Sequence, residues 1–97
     1  MNNYEELKEL AQQVDKILKE ELERVGIEYT MAEVRIYDVK TVGVQGDERT
    51  YTYPAEIELR QNKNFVWKPS FTQRLSTRIT NEVRNINRVL YVIPLKE

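Results

Sequence analysis

The 97-residue sequence predicts an α+β fold, a two-layer sandwich in the order α-β-β-(β)-α-β with two helices on one face of a small mixed sheet. Three observations predict it. Apolar residues recur at three- and four-residue steps over residues 4–25 and again over 71–83, the spacing of an amphipathic helix. Residues 31–37 and 49–60 alternate apolar with polar side chains, the period of a strand with one wet face. Residues 89–93 are apolar at every position, the pattern of a strand covered on both sides. A chain of this length forms one domain, residues 1–97, because compact domains run roughly 50 to 200 residues.

The first helix carries Leu7, Leu10, Ala11, Val14, Ile17, Leu18, Leu22 and Val25 on one face. Asn3 and Glu6 read as a capping box at its start, and Gly26 suits the left-handed position just past its end. In the first strand Ala32, Val34 and Ile36 lie opposite Glu33 and Arg35. A further strand near residues 39–45 leads into Gly46-Asp47-Glu48, a turn signal. The strand that follows places Tyr51, Tyr53, Ala55, Ile57 and Leu59 against Thr50, Thr52, Glu56, Glu58 and Arg60. Pro54 cannot donate to a ladder, which predicts an edge or a bulge there. Residues 61–68 read as a loop, with Phe65 and Trp67 as a docking patch or a lid over the core. Pro69-Ser70 opens the second helix, Gln73 completes a second capping box, and Phe71, Leu75, Ile79 and Val83 form the buried stripe. Asn85-Ile86-Asn87 turns the chain into the last strand.

Composition closes off several chemistries. The chain has no Cys and no His, which removes disulfides, thiolate or imidazole metal sites, and Ser-His-Asp or Cys-His catalysis. No apolar run approaches the roughly 18 residues of a membrane span, and the acidic first residues do not resemble a signal peptide, so the expected location is the cytoplasm. The net charge of −1 conceals an asymmetry. Residues 1–59 hold 14 acidic and 7 basic side chains, residues 60–97 hold 2 and 8. The near-cancellation favours a basic third that meets the acidic part of its own fold or of a partner chain, over one that meets nucleic acid.

Carboxylate pairs are the remaining catalytic candidates: Glu56 and Glu58 on one strand face, and Glu20, Glu21 and Glu23 on the first helix. Both sets alternate with basic or apolar residues in the manner of solvated faces, so no catalytic residue, metal or cofactor is assigned. Arg74, Arg78 and Glu82 stand at four-residue steps and read as a solvated charged ridge. The last strand raises a different question. Leu90 and Val92 point opposite to Val89, Tyr91 and Ile93, and two helices can cover only one of these sets. A twofold partner is the commonest cover, which places Leu90 and Val92 at a homodimer interface.

Lys40-Thr41-Val42-Gly43-Val44-Gln45-Gly46-Asp47-Glu48-Arg49-Thr50-Tyr51-Thr52-Tyr53 resembles the segment K-[ST]-V-G-V-x-G-D-x-R-[ST]-Y-x-Y of the GMP synthase C-terminal dimerisation domain. Three further matches follow that family's order. Val14-Asp15-Lys16-Ile17-Leu18-Lys19-Glu20-Glu21-Leu22 is similar to A-D-x-I-x-x-E-E-L, Arg74-Leu75-Ser76-Thr77-Arg78-Ile79-Thr80-Asn81-Glu82-Val83 to R-[VL]-[AS]-[TN]-R-I-I-N-E-V, and Asn87-Arg88-Val89-Leu90-Tyr91 to [NS]-R-V-V-Y. The resemblance implies a standalone copy of a domain that ends a larger enzyme, without the amidotransferase and ATP pyrophosphatase domains that make GMP from XMP, ATP and glutamine. Its layout is that of a GMP synthase dimerisation domain, similar to the type II KH fold.

The resemblance also implies site residues. Arg88 stands at a position that resembles a nucleotide-contacting arginine, and Lys96 falls on the lysine of the family's S-K-P-P-x-T-I-E-W-E tail. Elsewhere the ligand side departs from the family. Met31 replaces a glutamine, Val92 an aspartate, Pro94 and Leu95 a threonine and a serine, and the sequence stops at Glu97, before the tail glutamate. The expectation is a non-catalytic homodimerisation module. The alternatives are a detached subunit that lends Arg88 and Lys96 to XMP beside a separate ATP pyrophosphatase, and a KH-like module binding RNA or another anion. For the last, Gly43-Val44-Gln45-Gly46 matches G-x-x-G, but it leaves one strand for another and carries Asp47 and Glu48 beside it.

Overall fold

The structure is a computed structural model that describes residues 3–39, 53–62, 64–66 and 68–93. Its order is α1 (Asn3–Val25), β1 (Met31–Ile36), β2 (Tyr53–Gln61), β3 (Asn64–Phe65), α2 (Pro69–Glu82) and β4 (Ile86–Tyr91). The α+β class holds. Strand β2 is central: β1 pairs with it antiparallel along one edge, while β4, parallel, and the two-residue β3, antiparallel, share its other edge. The expected strand over residues 40–45, the turn at 46–48, the G-x-x-G match, Tyr51, Trp67 and Lys96 lie outside the described residues, as do the side chains of Asn3 and Phe65.

Both helices pack on one sheet face, because the two apolar stripes and the odd-numbered residues of β2 are the surfaces that must leave water. Leu10, Val14, Ile17, Leu18 and Leu22 of α1 join Phe71, Leu75 and Ile79 of α2 over Tyr53, Ala55, Ile57 and Leu59 of β2. Val83 and Ile86 complete the buried set, and Ala32, Val34, Ile36, Val89 and Tyr91 pack half-buried around it. Each large aliphatic side chain buried here contributes about 1.5–3 kcal/mol relative to exposure. Val25, on the predicted stripe, is exposed at the frayed end of α1. Gly26 terminates that helix as predicted, with φ 77° and with its own N–H and that of Ile27 donating to Leu22 O at 2.9 and 3.0 Å.

Three local expectations need correction. Residues 61–68 are not all loop: Asn62 adopts φ 59° and turns the chain so that Asn64 and Phe65 pair with Gln61 and Arg60. Asn tolerates this left-handed conformation better than most non-glycine residues, a signal that was open to reading. Helix α2 opens at Pro69 but without a capping box, since its N-cap is Lys68 and no side chain caps it. The turn before β4 falls on residues 83–85, and Ile86 is already a buried strand residue. Pro54 sits at a bulge rather than an edge. The register steps from Tyr53↔Ile86 to Pro54↔Arg88, and this extra residue on β4 lets both Ile86 and Val89 face the helices.

Candidate functional site

The sheet face opposite the helices carries Arg88 and Leu90 of the sequence-predicted site residues, with Val92 following them at the end of β4. Val89 and Tyr91 turn toward the core, and the Tyr91 hydroxyl lies 2.7 Å from Ser76 Oγ and donates to Thr72 O at 3.0 Å. Alternation then puts Arg88 and Leu90 on the outer face, where Leu90 is 42% exposed. Val92 extends the strand by donating its N–H to Ile57 O at 3.0 Å, and Ile93 beyond it is 59% exposed. The structure therefore brings Arg88, Leu90 and Val92 to one edge of the outer face.

The rest of that face is charged, and cross-strand register explains how it is tolerated. Glu33 of β1 lies directly opposite Glu58 of β2, a pairing that repels. Arg35, one row on and opposite Glu56, resolves it by bonding to all three carboxylates: Glu33 at 2.8 Å, Glu56 at 2.7 Å and Glu58 at 2.6 Å. Arg60 adds a second guanidinium to Glu58 at 2.6 Å, and Tyr37 donates its hydroxyl to Glu56 at 2.8 Å. The hydrogen bonds from Arg35 and Arg60 hold the Glu58 carboxyl below the usual range, and those to Glu56 and Glu58 push Arg35 further up. A carboxylate held ionised between two guanidiniums has no proton to donate, so Glu58 is unsuited to general acid work. Leu90 shares the row of Arg35 and Glu56, so a β4 column headed by Arg88 and continued by Leu90 borders a charged double column on β2 and β1.

A second ionic cluster, which the sequence reading divided between two solvated faces, joins the two helices. Glu21 is 2% exposed and receives Arg24 Nε and Nη2 at 3.1 and 3.0 Å, Arg74 Nε at 3.0 Å and Arg78 Nη1 at 3.2 Å. Arg78 also reaches Glu20 at 2.6 Å and Glu82 at 2.7 Å, so the four-residue ridge exists but leans onto α1. Burial pushes the Glu21 carboxyl up, yet the hydrogen bonds and charges of Arg24 and Arg74 outweigh that and lower it. Glu21 stands seven residues after Val14, inside the apolar stripe, and that position was the signal for its burial. The acidic first helix thus meets the basic second one, as the opposed charges of the two sequence segments suggested.

These features define a small two-layer α+β module whose conspicuous outward feature is an open sheet face, half apolar and half self-paired charge. The family sequence model described as GMP synthase C terminal domain matches residues 15–97, and the chain belongs to that family. It is 42% identical over 95 residues to the protein called GMP synthase [glutamine-hydrolyzing] of Borreliella burgdorferi (strain N40), covering 90% of this chain and 19% of the relative. It is 36% identical over 96 residues to the protein of that name from Symbiobacterium thermophilum, covering 91% and 19%, and 38% identical over 91 residues to that of Mycobacterium leprae (strain Br4923), covering 84% and 17%. The chain spans about a fifth of the length of these curated relatives. Among the described residues no helix is long and apolar enough to cross a membrane.

Proposed function

We propose that the chain is a homodimerisation module of GMP synthesis that performs no chemistry itself. The observation that carries this reading is the outer sheet face, where Leu90 is 42% exposed at the edge of charged rows that are already paired. A second copy that covered Leu90 and Val92 would bury that apolar surface, and Arg35 keeps its carboxylates in either state. The family relationship supports the link to GMP synthesis. Light scattering on the purified chain tests the reading. The expected mass is twice that of the chain, Leu90→Glu shifts it to a single-chain mass with the helical signal retained, and a monomeric wild-type protein removes the proposal.

Arg88 favours a second reading, in which the module also supplies a phosphate contact for XMP alongside a separate ATP pyrophosphatase. Arg88 is an exposed residue on the same outer face as Leu90, two positions away. A guanidinium offers paired donors matched to phosphate oxygens. Calorimetry with XMP, with and without the pyrophosphatase subunit, separates the two. Heat that depends on that subunit and vanishes in Arg88→Gln supports the contact, and no heat in any mixture rejects it.

A further inference from the structure

The helix side of the molecule holds a different arrangement. Arg24 and Arg74 come from different helices yet donate to the same atom, Glu21 Oε1, at 3.0–3.1 Å. Their donating nitrogens are therefore within about 6 Å of each other, a distance at which two guanidiniums repel. Arg78 does not share this strain, since Glu20 and Glu82 join Glu21 around it. The cluster as a whole matches three arginines with three glutamates, but Glu20 and Glu82 sit on Arg78, so Arg24 and Arg74 share the single buried carboxylate of Glu21. Arg74 is 57% exposed and Arg24 50% exposed, and of the Arg74 nitrogens only Nε has a partner among the described residues. Arg74 also lines an open groove of about 530 Å³ along α2, with Ser70, Gln73, Thr77 and Asn81 contributing hydroxyls and amides.

We infer that Arg24 and Arg74 form a binding site for a phosphate-type oxyanion, bridged from the solvent side just as Glu21 bridges them from the buried side. An incoming dianion relieves the repulsion between the two guanidiniums and finds them already ordered, so little side-chain entropy is lost on binding. The groove volume falls in the range of small-molecule sites, and its hydroxyls and amides suit a phosphorylated small molecule rather than an apolar one. The site lies on the helix layer and stands or falls independently of the oligomeric state.

Titration with inorganic phosphate at constant ionic strength, followed through the arginine Nε–H resonances of the full chain, tests this. The expected result is a saturable shift at Arg24 and Arg74 that exceeds any at Arg35, and at least about tenfold weaker binding in Arg74→Gln, the loss that follows from one charge-assisted contact. Arg24→Gln is the second variant, read in the same way if the first does not fold. A ribose phosphate added in place of inorganic phosphate tells the two sources apart: tighter binding with added shifts at Thr77 and Asn81 assigns the groove to the organic part, and equal binding assigns the site to free phosphate. Shifts that grow linearly, or that appear equally at every arginine, overturn the proposal, as does phosphate affinity unchanged in both variants.

Discussion

The two ionic clusters have opposite centres: at the helix seam the Glu21 carboxylate receives three arginines, and on the sheet the Arg35 guanidinium meets three carboxylates. Glu21 is 2% exposed, whereas the sheet carboxylates Glu58, Glu56 and Glu33 are 12%, 19% and 55% exposed. That difference in solvation, rather than the number of ion pairs, decides what each can do. A buried carboxylate has no water to fall back on, so its partners must be in place for the helices to close over it. The sheet network keeps access to water, contributes little net stability, and leaves a surface that a second chain can cover. The seam ties the two helices together, and the proposed association rests on the sheet face.

The largest predicted effect is at the seam. Glu21→Ala removes the common partner of three guanidiniums and leaves a space between α1 and α2. Because Arg24 and Arg74 are half exposed and can be hydrated, the expected loss is at the low end for a broken buried pair, about 3 kcal/mol, measured by urea unfolding. Arg35→Ala on the sheet leaves Glu33 and Glu58 opposed and unbridged. Its expected cost is about 1 kcal/mol, with an unchanged helical signal, since hydration of the carboxylates replaces most of what is lost. Equal costs for the two variants would show that solvation is not what separates the clusters.

Acid sharpens the same contrast. Glu21 and Glu58 both have folded pKa values below their ordinary 4.5. A depressed folded pKa contributes stability that is present above the unfolded value and is lost as pH falls through the folded one. Both clusters therefore hold above pH 4.5 and weaken below it. Glu21→Gln is expected to flatten the fall in stability below pH 4.5 more than Glu58→Gln does, because a neutral amide at the buried site no longer gains or loses a proton. Unfolding midpoints of wild type and both variants between pH 6 and pH 3 check the order.

Much of this was legible in the sequence, and the rest failed for identifiable reasons. The helices, the alternation of β1 and β2, and the inward choice of Phe71, Leu75, Ile79 and Val83 follow from periodicity, which depends only on neighbouring residues. The outer-face alternation was legible too, but not which charges meet. Glu33 opposite Glu58 is a property of register, fixed only when β1 and β2 pair, and one residue of slip in β1 would have turned Glu33 to the core. Glu21 was misread because the run of Glu20, Glu21 and Glu23 beside Lys19 and Arg24 has the composition of a solvated face. Its burial depends on Arg74 and Arg78 arriving from more than fifty residues away. Of the site residues, Leu90 follows from the five-residue apolar run, whereas the role proposed for Arg88 came from family resemblance and not from any pattern in the chain.

Salt gives the smallest and most discriminating effect. At 1 M ionic strength the screening length is about 3 Å, shorter than most separations between charges that water can reach. The Arg35 network should then lose most of its small contribution, while the contacts to buried Glu21 are shielded by the side chains that enclose it. The expected outcome is that the cost of Arg35→Ala shrinks by a few tenths of a kcal/mol between 0.1 M and 1 M sodium chloride, and that the cost of Glu21→Ala stays the same within error. A dimer closing over the β4 column changes this in a defined way. Covering the sheet would take the Arg35 network partly out of water, so its salt dependence should be weaker at high protein concentration than at low. In Leu90→Glu, held monomeric, the two should coincide. Concentration-independent salt effects in the wild type would place the interface away from the rows containing Leu90, Glu56 and Arg35.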